Sequence, residues 1–543
     1  MKKIFISLIQ IAFLLYGVQC IAQINNKWIR TWDSQLWDES HAVTTDDSCN
    51  IYIAGWNYEW KVNYDFIFAK YSPDGDMKWD KIRNYSSGDQ ASHILYDGHG
   101  NIYIAGFVYG DYSRTGGKMC LMKYTVNGDS VWEYVENNNS LAQVSKMAID
   151  DSCNIILAGF DGLDNSDFVT MKIDSAGNQR WMKTYSNSGP NDADKINDMC
   201  LDQDGNIYVT GFSDDTINFY LDILTIKYNQ NGDTVWMRRF NGPANYFDSG
   251  NKILVDKDKN VFIAGVVDSK TPLNSNYVLL KYDSIGTLKW SKYFDYQPAR
   301  ISFDYVRDMV MDKVGNIYLT GSSSTDNSQA TMRIATVKFN QKGDTIWTAR
   351  WGTSGDKQPQ QMVIDSLSNI YITGFYYDYG GTGYNAITLK YDSAGILKWE
   401  AHYHDESNKE EMFNALTLDA KNDLIVTGRT HSDSYYDFLT IKYQNSITGI
   451  PVFEAGNTDL HINCYPNPFS ESTLINYYLP TNSRVSLKLF DMLGNEVKDI
   501  YGGYQESGNH TQPFSSNGLM AGIYFLELTA ENKNCSEKII IFR

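Results

Sequence analysis

The chain is short of the residues that tie a fold together by covalent or metal chemistry. It has 7 cysteines, 8 histidines and 11 prolines among 543 residues. No two cysteines form a CxxC pair, so there is no zinc-ribbon or thioredoxin-like signal. Basic residues are also in deficit: 47 Lys and Arg stand against 65 Asp and Glu, a net charge of −18. A surface this acidic repels phosphate backbones, which argues against nucleic acid and anionic lipid as partners. Beyond the N-terminus no run approaches the ~18 apolar residues of a spanning helix, so no transmembrane anchor is expected. No stretch of 12 or more residues keeps a clear helical period. A GxSxG elbow, an HExxH pair, a phosphate loop and a candidate Cys–His pair are all missing, so the sequence offers no catalytic residue.

Residues 1–22 read as a secretory signal peptide. Lys2 and Lys3 lead, Ile4 to Tyr16 is nearly unbroken apolar chain too short to span, and Cys20-Ile21-Ala22 precedes a cut leaving Gln23 first. A lipid anchor at Cys20 is the rival reading, against which stands Gln19 where a small residue belongs. The mature chain is therefore expected to be secreted, extracellular or on the outer cell surface. That compartment permits disulfides. Cys464 and Cys535 lie near enough in sequence to pair, whereas Cys49 and Cys153 occupy identical DDSCN turns and read as turn filling.

What is abundant is repetition. NIYIAG stands at 50–55 and again at 101–106, followed by NIILAG, NIYVTG, NVFIAG, NIYLTG, NIYITG and NDLIVTG. The closing glycines are Gly55, Gly106, Gly159, Gly211, Gly265, Gly321, Gly374 and Gly428, spaced by 51 to 56 residues. A period of that size means a solenoid, propeller or array. Two further marks keep the period: a hydrophobic-Lys-aromatic triplet (Lys70 to Lys442) and a tryptophan shortly after a turn (Trp28 to Trp399). Each unit reads as four short strands rich in β-branched and aromatic residues. A lone four-stranded sheet cannot bury both faces, and radial stacking solves this, so the expected fold is an all-β propeller over 23–443. Eight blades are favoured over seven. Either each unit starts at its tryptophan strand, or the N-terminal strand completes the last blade and locks the ring.

The D-x-x-G-N-I-Y-[IV]-[AT]-G pattern, clearest at 202–211, resembles the bacterial β-propeller repeat often labelled seven-bladed; the resemblance covers about 27–443. Residues 444–460 read as a linker. Residues 461–543 read as a small β-sandwich of six or seven strands. The stretches YPNPF (465–469), LFDMLGNEV (489–497), GIYFLEL (522–528) and KIIIFR (538–543) resemble the C-terminal sorting domain of type IX secretion cargo in the Bacteroidota. The resemblance implies the type IX machinery as a partner and export across the outer membrane.

A residue present in all eight units is expected to be structural, because a single site needs asymmetry. The tight turns (202–205 and 229–233) fall on one face of the ring and the long, variable loops on the other. Binding residues collect on variable loops over a rigid scaffold. The candidates there are Trp56, Tyr58, Trp60, Tyr109, Tyr112, Tyr376, Tyr377, Tyr379, Tyr384, Tyr435 and Tyr436, since exposed Tyr and Trp suit sugar rings or protein partners. The alternative is that they pack loop on loop. His402 and His404 share a strand face and, with Asp405, form a candidate metal pair. Asp202 and Asp204 in the DxDGN turn form a calcium candidate, though aspartates are ordinary turn formers. No cofactor is expected otherwise. The reading is a surface-displayed module binding a glycan or a protein. A polysaccharide hydrolase or lyase, and a purely structural surface protein, stand as alternatives.

Overall fold

The structure is a computed structural model. It describes residues 26–541 apart from 60–62, 86–87, 110–116, 137–141, 163–165, 188–192, 215–219, 269–274, 296–302, 325–331, 354, 378–382, 405–409, 433–434, 445–459 and the positions 466, 468, 470, 471, 493 and 532. Residues 1–22, expected from sequence to be a signal peptide, therefore lie outside the described residues. The chain divides into two compact units, Met1–Asn445 and Ser446–Arg543. No helix among the described residues is long and apolar enough to cross a membrane.

Unit one holds eight four-stranded antiparallel sheets, the blades of a propeller. Blades 1 to 7 run in chain order over residues 37–83, 90–135, 142–185, 195–240, 248–294, 304–351 and 356–403. Blade 8 takes its three inner strands from 412–443 and its outermost strand, Asn26–Trp32, from the other end of the chain. So there are eight blades, in the second of the two phasings. Each tryptophan strand is the outer edge of the blade before, and the first strand closes the ring. Holding ends about 400 residues apart costs roughly 5 kcal/mol of loop entropy. Trp28 and Arg30 help offset it by binding blade 1: Trp28 Nε1 donates to Pro73 O at 3.0 Å and Arg30 Nε to Gly75 O at 2.7 Å.

Side-chain alternation explains how the blades stack. Along Ile207–Asp214, Ile207 and Val209 join the core shared with blade 3, while Tyr208 joins the core shared with blade 5. All are buried, so the second strand reads as one unbroken apolar run. The closing glycine has a separate cause. Every inner strand carries a β-bulge at one place, from Ser40/Ala42 in blade 1 to Phe413/Ala415 in blade 8. The bulge presses a backbone carbonyl onto the glycine: a Cβ on Gly211 would meet Lys195 O at 1.8 Å.

The repeated marks are packing devices of the tight-turn face. Asp202 accepts from the backbone N–H groups of Asp204 and Asn206, from Asn206 Nδ2 and from the Tyr208 hydroxyl. Lys227 lies over the Tyr208 ring, 4.9 Å from its centre. Lys172 and Lys442 reach their own turn carboxylates, Asp150 and Asp419, at 2.8 and 2.7 Å. The tryptophans dock on the next blade's outer turn: Trp181 Nε1 donates to Gln230 O at 3.0 Å, and its ring covers Gly232, where a Cβ would come within 2.7 Å. The fourth residue of each inner turn takes positive φ, including Cys49 (61°), Cys153 (56°), Gly205 (73°) and Ser368 (63°). Cys49 and Cys153 are thus turn fillers at a position that favours glycine.

Among the described residues, unit two is a sandwich of seven strands. A three-stranded sheet (His461–Tyr465, Ser472–Leu479, Gly508–Ser515) faces a four-stranded one (Ser483–Phe490, Glu496–Gln505, Gly522–Ala530, Lys533–Ile541). Phe469, Ile475, Leu487, Leu526, Leu528 and Ile539 fill the space between. Cys464 and Cys535 lie in different sheets as free thiols, so the pairing anticipated from their spacing does not form.

Candidate functional site

The inner turns of blades 1 to 8 and the outer turns of blades 1 to 7 lie at one end of the strands, and the long connections at the other. On that long-loop face, the junction of blades 8 and 1 carries a cavity of about 180 Å³ lined by Trp37, Asp38, Glu39, Trp56, Tyr58, Tyr64, Arg429 and Tyr436. Strand register assembles it. Trp37 opposes Tyr58 and Glu39 opposes Trp56 between the first two strands of blade 1. Tyr58 opposes Tyr64 on the third strand. Blade 8 brings Arg429 and Tyr436 from the other side.

The aromatic rings brace one another. Tyr58 and Tyr64 stack with centres 4.4 Å apart, Trp56 meets Tyr64 edge-on at 5.1 Å, and Trp37 meets Tyr436 edge-on at 5.6 Å. Such pairs contribute about 0.5–1.5 kcal/mol each beyond burial, which holds the rings in place before any ligand arrives. The polar side is a linked network. Arg429 Nη1 donates to Glu39 Oε2 at 2.7 Å, and its guanidinium lies over Tyr436, 4.4 Å from the ring centre. Tyr436 donates its hydroxyl proton to Glu410 Oε2 at 2.8 Å. Burial first, and Glu410 second, push the Tyr436 hydroxyl up to about 12, so it remains a donor. Asn414 Nδ2 donates to Glu39 Oε1 at 2.9 Å and ties the network to the inner strands.

The eightfold pattern separates site from scaffold here. The register pair just beyond the bulge is Gln–Phe in blades 2, 3 and 7, at Gln90–Phe107, Gln143–Phe160 and Gln358–Phe375. It is Glu39–Trp56 in blade 1 and Met412–Arg429 in blade 8. The pair is different again in blades 4 to 6, at Lys195–Phe212, Ser249–Val266 and Tyr305–Ser322, so the cavity is built at a position that the repeat leaves variable. Asp38 is different. Its position is held by Asp89, Asp194, Asp248, Asp304 and Glu411 in other blades, all buried. Asp38 accepts from Ser34 N and Oγ, and Asp194 accepts from Asn187 N, so these carboxylates cap the loop that enters their own blades; blades 3 and 7 carry Ala142 and Lys357 there. Burial pushes Asp38 up to about 7; Asp437 and Asp33 add to this and the Ser34 hydrogen bonds oppose it.

Of the eleven aromatic candidates, Trp56, Tyr58 and Tyr436 meet at this cavity. Tyr435, beside them in sequence, is exposed at 41%. Tyr376, Tyr377 and Tyr384 group instead on blade 7: Tyr376 packs against Trp351 and His402, and Tyr384 against Phe375 and Tyr377. Tyr109 packs on Phe107. Trp60, Tyr112 and Tyr379 lie outside the described residues, as does Asp405. Trp37 and Arg429 were not singled out from sequence. The signal was there, since each departs from what its repeat position carries elsewhere, but only closure of the ring makes blades 8 and 1 neighbours.

The metal candidates are placed as follows. His402 Nδ1 is 2.9 Å from the Tyr376 hydroxyl and Nε2 is 3.3 Å from Glu400 Oε1, while His404 follows the strand end and is exposed. Asp202 spends its oxygens on its own turn, and Asp204 pairs with Lys259 of blade 5. Burial opposes ionisation of Asp202, but the hydrogen bonds from Asn206, Tyr208 and Asp204 outweigh it and hold its carboxyl below the usual range.

Residues 463–542 match the secretion system C-terminal sorting domain. The chain is 23% identical over 506 residues to an uncharacterized WD repeat-containing protein of Acanthamoeba polyphaga mimivirus, covering 78% of this chain and 31% of that protein. It thus spans about a third of the curated relative's length. Among solved structures it is similar to PorZ, a surface component of the type IX secretion system of Porphyromonas gingivalis, at 13% identity and a TM-score of 0.38, covering 92% of this chain and 68% of that one. It is also similar to the WD40 domain of SCAP from fission yeast, at 9% identity and a TM-score of 0.39, covering 78% and 98%. The chain is a β-propeller followed by a type IX sorting domain.

Proposed function

We propose that this protein is delivered outside the cell by its C-terminal domain and there binds carbohydrate through the pocket between blades 8 and 1. The observation that carries the reading is that pocket: aromatic faces on one side and the Arg429–Glu39 network on the other. Aromatic faces suit the apolar C–H face of a pyranose. A charged, hydrogen-bonded pair suits its ring hydroxyls, because displaced water is replaced group for group. The cavity's 180 Å³ is below the ~300 Å³ at which drug-sized pockets begin. That favours one sugar ring, or the end of a chain, over a long buried oligosaccharide.

A glycan array probed with the mature chain tests this directly. The expected result is a narrow set of positives, lost on Trp56→Ala while the variant keeps its thermal transition. A blank array, or a Trp56→Ala variant that binds as the parent does, would overturn the carbohydrate reading and turn the search to a protein partner.

A further inference from the structure

At two junctions on the tight-turn face, the third residue of an inner turn stands beside the fourth residue of the next blade's inner turn. Blades 4 and 5 fill this place with an ion pair, Asp204 and Lys259. Blades 2 and 3 fill it with His99 and Cys153, whose Nδ1 and Sγ are 3.7 Å apart. Asp97 begins the same turn as His99. One donor atom from each of Asp97, His99 and Cys153 lies within 4.8 Å of the others.

We propose that Asp97, His99 and Cys153 form a binding site for a borderline-soft divalent cation, zinc above all, bridging blades 2 and 3. The donor set is a thiolate, an imidazole and a carboxylate. That set selects zinc-like ions over calcium or magnesium, which take oxygen ligands. Tetrahedral zinc with bonds of about 2.0–2.3 Å holds its donors about 3.3–3.8 Å apart; the His99–Cys153 separation already falls in that range. Three protein donors leave the fourth position to water, and the exposed His99 side of the turn provides the entry. His99 Nδ1 sits 2.8 Å from the Asp97 carbonyl. On binding, the thiol proton leaves to solvent and the neutral imidazole carries its single proton on Nε2, which frees Nδ1 and Sγ to ligate. Asp97 Oδ1 accepts from the His99 and Asn101 N–H groups and Oδ2 from Asn101 Nδ2, so the carboxylate is held in position with lone pairs to spare.

Cys49 is a control built into the fold. It occupies the same left-handed turn position in blade 1, but it is buried at 2% and the preceding blade's turn offers Lys421 in place of a histidine. Turn geometry therefore accounts for a cysteine at either place, and of the two, among the described residues, Cys153 is the one that belongs to a cluster of three metal-ligating side chains.

The probe is cobalt(II) added to the full-length chain, followed by visible absorption. The expected result is uptake of one equivalent, with a sulfur-to-cobalt charge-transfer band that zinc abolishes. Cys153→Ser should remove the band, His99→Ala should weaken uptake roughly tenfold or more, and Cys49→Ser should change neither. Near-ultraviolet circular dichroism verifies that each variant is folded. No stoichiometric uptake, a band that survives Cys153→Ser, or one lost in Cys49→Ser would overturn the proposal.

Discussion

The two faces of the propeller are made from the same strands and follow different rules. On the tight-turn face almost every polar group repeats: turn aspartate, asparagine partner, lysine over an aromatic ring, tryptophan on the next blade's glycine. On the long-loop face the buried capping carboxylates repeat, and beyond them the blades diverge. The pocket at blades 8 and 1 lies in the divergent part. Where eight copies agree, the residue serves packing that every junction needs. Where one junction departs, its residues are free to serve a ligand. The His99–Cys153 junction is the same lesson on the opposite face.

The largest expected effect is at the seam. Trp28 is 7% exposed and ties the closing strand to blade 1. Trp28→Ala should lower stability by about 3–5 kcal/mol, read as a shift in the urea midpoint. A shift no larger than that of Tyr435→Ala, a solvent-exposed ring, would break the claim that the N-terminal strand locks the ring.

Next comes a turn carboxylate. Asp202→Ala strands several donors at once and should cost about 1–3 kcal/mol, without touching ligand binding on the far face. Equal loss of stability and of binding would dissolve the distinction between the faces.

The faces should also titrate in opposite senses. Asp150 and Asp202 on the turn face have lowered pKa values, because hydrogen bonds (and Lys172, for Asp150) outweigh the cost of burial. Their stabilisation is present above the ordinary carboxylate pKa near 4 and is lost as pH falls through their lower folded values. Asp38 and Asp248 on the loop face are raised by burial to about 7. Their contribution is fullest below the ordinary value and is lost as pH rises through about 7. The melting temperature of the Asp38→Asn, Asp248→Asn double variant should therefore fall less than the parent's between pH 4 and 8. Parallel profiles would contradict the assignment.

The smallest effect sharpens the repeat. Ser368 holds φ 63° where blades 2, 4 and 6 place glycine. Ser368→Gly should stabilise by up to about 1 kcal/mol, whereas Gly205→Ser should do the reverse.

The propeller was legible because its periodicity is written in short strands whose faces alternate, and the sorting domain because its turn and strand motifs are contiguous. The eightfold rule also assigned the lysines and tryptophans to packing before any geometry was known. The pocket was legible in part. Trp56, Tyr58 and Tyr436 stand in aromatic loops; Trp37 and Glu39 join them across the first strand pair of blade 1, and Arg429 joins only because residues almost 400 apart meet at the seam. The Asp97–His99–Cys153 cluster was invisible for a similar reason: Asp97 and His99 share one turn, and blade stacking alone brings Cys153 to them from the next.

The most direct test of the account compares the faces in one titration. A saccharide that the chain selects should be titrated calorimetrically into two double variants, Trp37→Ala with Trp56→Ala on the loop face and Asp204→Ala with Lys259→Ala on the turn face. The account predicts at least tenfold weaker binding for the first and parental affinity for the second. Parental affinity in the first, or equal losses in both, would contradict it.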